Sequence, residues 1–502
     1  MRTAALAASL AIAATLLAGC AVGPNYHRPA LPPTASYGQL AVSPPREGQG
    51  GGPQLLPGQD IPAQWWKVYH CAALDTLVAE ALADSPTLEA AKAALRAARE
   101  QVKAQKGAFF PQVIGTFQPS HQEFAPDLSP QTQSGASIYN LTTTQVAVTY
   151  TPDVFGLNHR QVETLAAQAD QQRFELEAAR LTLASNVVLA AIQDAQYRAQ
   201  IDETKAIIED QRQTLASFER QAELGQASQA DLAAQRALLA QAQAALPPLE
   251  KQYRVNRDLL AALVGRTPGE APAVGFAFAD LTLPEQLPLS LPGRLVDQRP
   301  DVRIAEEELH AASAQVGVAI ANRLPNIEIE AAAGSATLAL APAFNHASDF
   351  WSLTGTLTQP IFEGGALAHR QKAAEAAYDQ AAAQYRQTVV AAFQNTADVL
   401  HALWTDADAQ TAAETAAKAS RASLEIARRQ LDLGDLSRLA VLGAEQADAQ
   451  ARLALLQARA NRYADVAALF QALGGGWWNM PKDGLADATS AGRQDGAKAP
   501  AG

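Results

Sequence analysis

Residues 157–224 read LNHRQVETLAAQADQQRFELEAARLTLASNVVLAAIQDAQYRAQIDETKAIIEDQRQTLASFERQAEL, and residues 366–433 read ALAHRQKAAEAAYDQAAAQYRQTVVAAFQNTADVLHALWTDADAQTAAETAAKASRASLEIARRQLDL. Neither stretch contains a glycine or a proline. Each is 68 residues long by its numbering, which at about 1.5 Å per residue predicts on the order of 100 Å of continuous helix. The flanking glycines recur at one offset: Gly156 and Gly365, Gly225 and Gly434, and Gly265 and Gly474 all stand 209 apart. The chain is therefore an internal duplication whose unit is a very long helical hairpin.

The seams of these rods are built on small residues. Leu181, Ala184, Val188, Ala191 and Ala195 step by three and four in the first rod, as do Val389, Phe393, Ala397, Leu400 and Trp404 in the second. That is coiled-coil spacing with room for close approach. A coiled coil without a channel would show the same period. Beyond each rod, Gly225 and Gly434 can take the left-handed conformation that ends a helix, and Ser228 and Ser437 can cap the next one. Asp231 completes a capping box with Ser228, whereas Ala440 holds that place after Ser437. Return helices run to Leu263 and Leu473, the first interrupted by Pro247-Pro248.

Ahead of each rod the period changes to two. Val113, Gly115 and Phe117 alternate with Gln112, Ile114, Thr116 and Gln118; Val146, Val148 and Tyr150 alternate with Gln145, Ala147, Thr149 and Thr151. The second repeat alternates Ile327, Ile329, Ala331 and Ala333 with Glu328, Glu330 and Ala332, and Trp351, Leu353, Gly355 and Leu357 with Ser352, Thr354, Thr356 and Thr358. These are two β-hairpins with long polar tips, and their strands have the length a tilted strand needs to cross hydrocarbon. Pro111 and Pro325 end the helices before the hairpins, and Pro152 and Pro360 begin the helices after them. Leucines and alanines from Leu74 to Lys106 give one amphipathic helix in the first repeat.

The expected organisation follows: residues 1–19 a signal peptide, 20–60 a lipidated arm and linker, 61–265 the first repeat with its hairpin at about 111–152 and its turn at 225. Residues 266–292 form a linker, 293–476 the second repeat with its hairpin at about 325–360 and its turn at 434, and 477–502 a disordered tail. At the start, Arg2 precedes an apolar run from Ala4 to Leu17, too short to span a bilayer, that closes on Leu17-Ala18-Gly19-Cys20. Small residues before a cysteine resemble a bacterial lipobox, which makes Cys20 the acylated, palmitate-bearing N-terminus. Ala21 lacks the aspartate that retains lipoproteins in the inner membrane, so the expected location is the outer one.

Composition removes several classes. The net charge is −12, with no basic block to neutralise phosphate, so nucleic acid is not an expected partner. Two cysteines, Cys20 and Cys71, cannot make a disulfide framework or a cysteine metal site. The eight histidines are scattered, and no H-E-x-x-H, G-x-S-x-G, P-loop or C-x-x-C is present. No enzyme, metal site or cofactor is expected.

A four-stranded sheet with one apolar face cannot sit alone in lipid, because each unpaired edge group would cost several kcal/mol there. Closure must come from further copies, with Gln112, Thr116, Gln145, Thr149, Glu328, Glu330, Thr354 and Thr356 facing a wet lumen. A soluble sandwich is the rival for these strands.

Four stretches carry a family resemblance: Cys20-Ala-Val-Gly23-Pro24-Asn-Tyr26-His-Arg28-Pro29; Arg299-Pro300-Asp301-Val302-Arg303 with Ala305-Glu306 and Leu324-Pro325; Leu357-Thr-Gln-Pro360-Ile-Phe362-Glu-Gly364-Gly365; and Ala472-Leu-Gly474-Gly-Gly476-Trp477. In this order they resemble the TolC-type outer-membrane factors, in the lipoprotein branch of efflux proteins that includes OprM and the NodT group. The resemblance implies an α+β membrane protein, a homotrimer whose four strands per chain make a 12-stranded barrel and whose coiled-coil hairpins make a periplasmic tunnel. It implies a passive exit duct for small molecules in multidrug resistance, working with a periplasmic adaptor (membrane fusion protein) and an inner-membrane resistance-nodulation-division pump. Leu224, Gly225, Ser228, Leu433, Gly434 and Ser437 become the expected adaptor contacts. The family's acidic aperture rings have no match here: Ala440 and Gly443 stand at those places, leaving Asp435, Arg438 and Arg429 as gate candidates. A duct for protein secretion and a non-channel periplasmic scaffold remain the alternatives, and the second should lack the hairpins.

Overall fold

The computed structural model describes residues 21–30, 52–123, 138–290, 292–338 and 348–480. The expected signal peptide, Cys20, most of the proline-rich linker, the hairpin tips and the tail after Met480 lie outside the described residues.

The two glycine-free stretches are helices: α3 spans Leu157–Glu223, 67 residues, and α7 spans Ala366–Leu433, 68 residues. Their return helices are α4 (Gln229–Leu263) and α8 (Arg438–Ala472). Helix α4 passes through Pro247 and Pro248 without a break, contrary to the interruption expected from sequence. A proline's fixed φ is itself helical; the pair removes two N–H donors and crowds the preceding turn. Anchors on both sides of it, Leu232 and Gln235 before and Asn256, Leu260 and Ala261 after, are buried and hold the helix in line.

Two other boundaries differ. The helix expected from Leu74 to Lys106 is two, α1 (Ala72–Asp84) and α2 (Pro86–Lys106), because Pro86 holds Ser85 in extended backbone at ψ 121°. Pro152 and Pro360 do not open α3 and α7. Those helices begin after Gly156 (φ +75°) and Gly365 (φ +86°), and Asp153 caps α3 by accepting from the N–H groups of Asn158 and His159 at 3.0 and 2.9 Å. A carboxylate there satisfies first-turn donors that a proline cannot.

The strands are β1 (Gln54–Pro57), β2 (Gln112–Glu123), β3 (Ile138–Tyr150), β4 (Gln286–Leu289), β5 (Asn326–Thr337) and β6 (Asp349–Thr358). The four long ones form an antiparallel sheet in the order β2-β3-β5-β6. The short pair β1 and β4 is parallel and lies in the two segments whose sequence reads as linker, 20–60 and 266–292. A short helix α5 (Pro292–Gln298) and the 22-residue α6 (Pro300–Ala321) complete the second repeat.

Two compact units result, each drawing on both repeats. The first gathers residues up to Pro29 with Leu95–Gln172 and Ala305–Tyr385, and holds the four-stranded sheet. The second gathers Ala30–Ala94, Arg173–Ile304 and Arg386 onward, and holds both helical turns. Its core is aromatic: Trp65 stacks on Phe470 at 5.3 Å between centroids, Phe174 meets Trp477 edge-on at 5.6 Å, and Tyr69 donates to the Tyr463 carbonyl at 2.7 Å.

Candidate transport surfaces on the sheet and at the turns

Register decides what each face of the sheet presents. Gln112 pairs with Thr149, Thr149 with Glu330, and Glu330 with Thr354, so four polar side chains from four strands form one row. Thr116 pairs with Gln145, and Glu328 with Thr356. All eight residues singled out from sequence therefore share one face, since side chains alternate along every strand. Ile114 and Phe350 are apolar members of that face.

The opposite face carries Val113, Val148, Ala331 and Leu353 in one row and Gly115, Val146, Ala333 and Trp351 in the next. Val113, Phe117, Val146, Ile329, Trp351, Leu353 and Leu357 are all exposed there. From the row of Ile327 and Leu357 to that of Phe117 is four two-residue steps, roughly 27 Å along the strands at about 3.4 Å per residue. Such a band matches the outward apolar belt of about 25 Å that barrels present to lipid. Among the described residues, β2 pairs with β3 alone and β6 with β5 alone, so each has an outer edge that no described strand covers.

Both helical turns are built alike. At the first, Gly225 (φ +72°) donates to Ala222 and Gln226 to Gln221; at the second, Gly434 (φ +81°) donates to Leu431 and Asp435 to Gln430. This pairing closes a helix C-terminus around a left-handed residue, which glycine adopts without a Cβ penalty. Leu224 and Leu433, beside the two glycines, are exposed at 71% and 76%. Ser228 caps α4 with the full box, accepting from Asp231 N at 3.1 Å while its own N–H reaches the Asp231 carboxylate at 3.3 Å. Ser437 makes the single bond, from Ala440 N at 3.4 Å.

Of the gate candidates, Asp435 and Arg429 are exposed near the second turn, and Arg438 opens α8. The buried charges of this region lie further along α8, at Glu445 and Asp448. Glu445 takes Arg428 of α7 at 2.8 Å and Gln211 of α3 at 3.3 Å; Gln211 in turn accepts from Gln235 of α4 at 2.6 Å. Asp448, with no exposed surface, faces Arg452 at 3.1 Å and Arg421 at 3.6 Å, and Arg452 also pairs with Glu203 of α3. All four rods thus meet in one polar layer. Its sequence signal is the spacing of Val441, Glu445, Asp448 and Arg452, which step by four, three and four and so place the charges on the seam.

A second acidic pair joins the same helices. Asp465 of α8 and Asp406 of α7 share a hydrogen bond; burial and then the Asp406 charge push the Asp465 carboxyl up to about 7, against the pull of Arg462. Two half-buried carboxylates that share a hydrogen bond cannot easily hold two charges.

In the first unit, residues 22–28 are bound to α3 and α6. Arg160, nearly fully buried, donates to the carbonyls of Val22 (3.0 Å) and Gly23 (3.3 Å) and to Asn25 Oδ1 (2.9 Å), and pairs with Glu163 at 2.6 Å. Tyr26 stacks on His310 at 4.3 Å, and Arg28 reaches Glu306 at 3.0 Å. His310 lies between Glu163 (3.1 Å) and Glu307 (3.4 Å), hydrogen bonds that raise its pKa above the ordinary value against the effect of burial.

Among the described residues no helix is long and apolar enough to cross a membrane. The candidate membrane surface is the sheet. A duplicated chain of rod-length helical hairpins, with a two-faced sheet of strands in each chain, defines the tunnel-and-barrel class of outer-membrane channel. The model of the outer membrane efflux protein family matches residues 77–266 and 291–475, and the chain belongs to that family. It is 30% identical over 464 residues to the pyoverdine export outer membrane protein OpmQ of Pseudomonas putida, covering 89% of this chain and 94% of the relative. It is 28% identical to the toluene efflux pump outer membrane protein TtgC of Pseudomonas putida, over 94% and 96% of the two chains. Among solved structures, the outer-membrane channel OprN superposes with a TM-score of 0.83 at 25% identity, over 91% of this chain and all of that one. The Campylobacter jejuni CmeC outer membrane channel shares the fold, with a TM-score of 0.84 at 20% identity over 94% and 98% of the two chains.

Proposed function

We propose that the protein is the passive outer-membrane exit duct of a tripartite efflux system, working as a homotrimer without chemistry of its own. The observation that carries this reading is the sheet: one exposed apolar face, one polar face, and two open edges. Only lipid outside, water inside and further copies at both edges satisfy all three. Three copies of four strands give the 12-stranded barrel, whose lumen is lined by the row of Gln112, Thr149, Glu330 and Thr354 with Thr116, Gln145, Glu328 and Thr356.

An inner-membrane pump of the resistance-nodulation-division class supplies the energy, and a periplasmic adaptor docks on the exposed Leu224 and Leu433 and their capped turns. The layer at Glu445 and Asp448 holds the four rods together at rest and parts when the duct opens. Cys20 carries acyl chains that add to the hold of the barrel on the outer membrane. The cargo is small molecules, in keeping with relatives named for pyoverdine and toluene. Planar-bilayer conductance of the purified protein, with its mass determined on the same sample, tests the reading: a trimer with discrete openings is expected, and a non-conducting monomer would sink it.

A further inference from the structure

The two open edges of the sheet must find each other, and the duplication says in what register. Gln112 pairs with Thr149 in the first hairpin and Asn326 with Thr358 in the second. Laying β2 on β5, as Pro111 on Pro325, is a shift of 214 residues; the hairpin pairings then lay β3 on β6 with a shift of 209. That second shift is the one that relates Gly156 to Gly365 and Gly225 to Gly434, so the two hairpins correspond in pairing within the duplicated frame of the chain.

The junction between the hairpins, β3 against β5, is therefore a template for the junction between chains. Thr149 pairs with Glu330, Ala147 with Ala332 and Gln145 with Gly334. Carried by the same shifts, these become Thr358 against Thr116, Thr356 against Gln118 and Thr354 against Ser120. We propose that β6 of one copy pairs antiparallel with β2 of the next in this register. The inference rests on the oligomeric reading above and adds the seam that reading leaves open.

Three features support it. Neighbouring strands in the sheet are all antiparallel, so β6 and the next β2 run in opposite directions as required. The faces agree: Thr358 and Thr116 both lie on the polar face, while Leu357 falls opposite Phe117, both exposed and on the apolar face. A slip of one residue would set polar against apolar along the whole seam. Finally, the chain leaves apolar side chains uncovered where the seam ends. Continued past the strands, the pairing brings Ile361 level with Val113 and Phe362 level with Gln112 of the next copy, beside its Phe110. Ile361, Phe362 and Phe110 are exposed at 95%, 88% and 69% in the single chain. The neighbouring copy covers them and closes the seam at its base.

Cysteine pairs test the register in the full-length protein. Within one chain β6 and β2 are three strand spacings apart, roughly 14 Å at about 4.8 Å each, too far for a disulfide, so any link formed joins two copies. Thr356→Cys with Gln118→Cys, on the water-accessible face, is expected to give a covalent ladder on non-reducing gels. Its yield should be at least about ten times that of Thr356→Cys with Thr116→Cys or with Ser120→Cys. Preferential linking of either shifted pair, or an oligomer in which none links, would overturn the seam and leave the duct intact. A monomeric mass would overturn the oligomer and the seam together. Separately, Phe362→Ser should lower the temperature at which the oligomer dissociates; an unchanged temperature would overturn the contact at the base.

Discussion

Arg428 on α7 places a guanidinium nitrogen 2.8 Å from Glu445 on α8, and Glu445 is nearly fully buried whereas Arg428 is half exposed. Removing the exposed partner leaves a buried carboxylate short of its counter-charge. Arg428→Ala is expected to weaken the hairpin by about 1–2 kcal/mol, discounted from a fully buried pair because solvent reaches the arginine. If this layer holds the duct shut, resting conductance in planar bilayers should rise. Unchanged resting conductance with normal assembly would remove it from gating.

The two turns differ by one carboxylate. Ser228→Ala breaks a reciprocal box and Ser437→Ala a single long bond, so the first should cost about 1 kcal/mol and the second less. Hydrogen exchange of the Asp231 and Ala440 amides measures the difference directly. Equal acceleration at both sites would refute the asymmetry.

Asp465 makes stability depend on pH. Its folded pKa of about 7 stands above the ordinary value of 3.8, so the folded state keeps a proton that the unfolded chain releases. The contribution is complete below pH 4 and is lost as pH rises towards and through 7. The melting temperature should therefore fall between pH 5 and pH 8. Asp406→Asn removes the like charge and should flatten that fall; an identical slope in the variant would show that the pair is not its source.

A fourth expectation concerns the arm. Arg160→Ala removes three bonds to residues 22–25 and leaves their carbonyls to water. Limited proteolysis should cut within residues 21–30 at least several times faster than in the parent, with helix content by circular dichroism unchanged. Equal cutting would mean that the Tyr26 stack and Arg28 suffice.

The rods, the hairpins and the turn glycines were legible because each rests on a period or a punctuation mark within one element. All eight polar strand residues fell on one face for the same reason: alternation is a local property. What escaped reading depended on distant partners. Strands β1 and β4 are four residues each, contain proline, and pair across 232 positions, so nothing local marks them. Glu445 and Asp448 do not stand out in the sequence because carboxylates on a long helix normally face water, and partners from other turns and helices, Arg428, Arg421, Arg452 and Gln211, make their burial tolerable. The Ser85-Pro86 break was visible in the sequence, but the run of leucines and alanines around it outweighed one proline.

Gly156 decides whether the arm can seat. A Cβ built on it would lie 2.4 Å from the Cα of Ala21, so the arm presses against the start of α3 one residue after Cys20. Val22 is tied to Phe155 by a 3.1 Å backbone bond as well. Ala21 and Val22 are therefore fixed to the segment that joins β3 to α3. A side chain at position 156 would drive the two segments apart, so the seat of the arm depends on a residue without a Cβ.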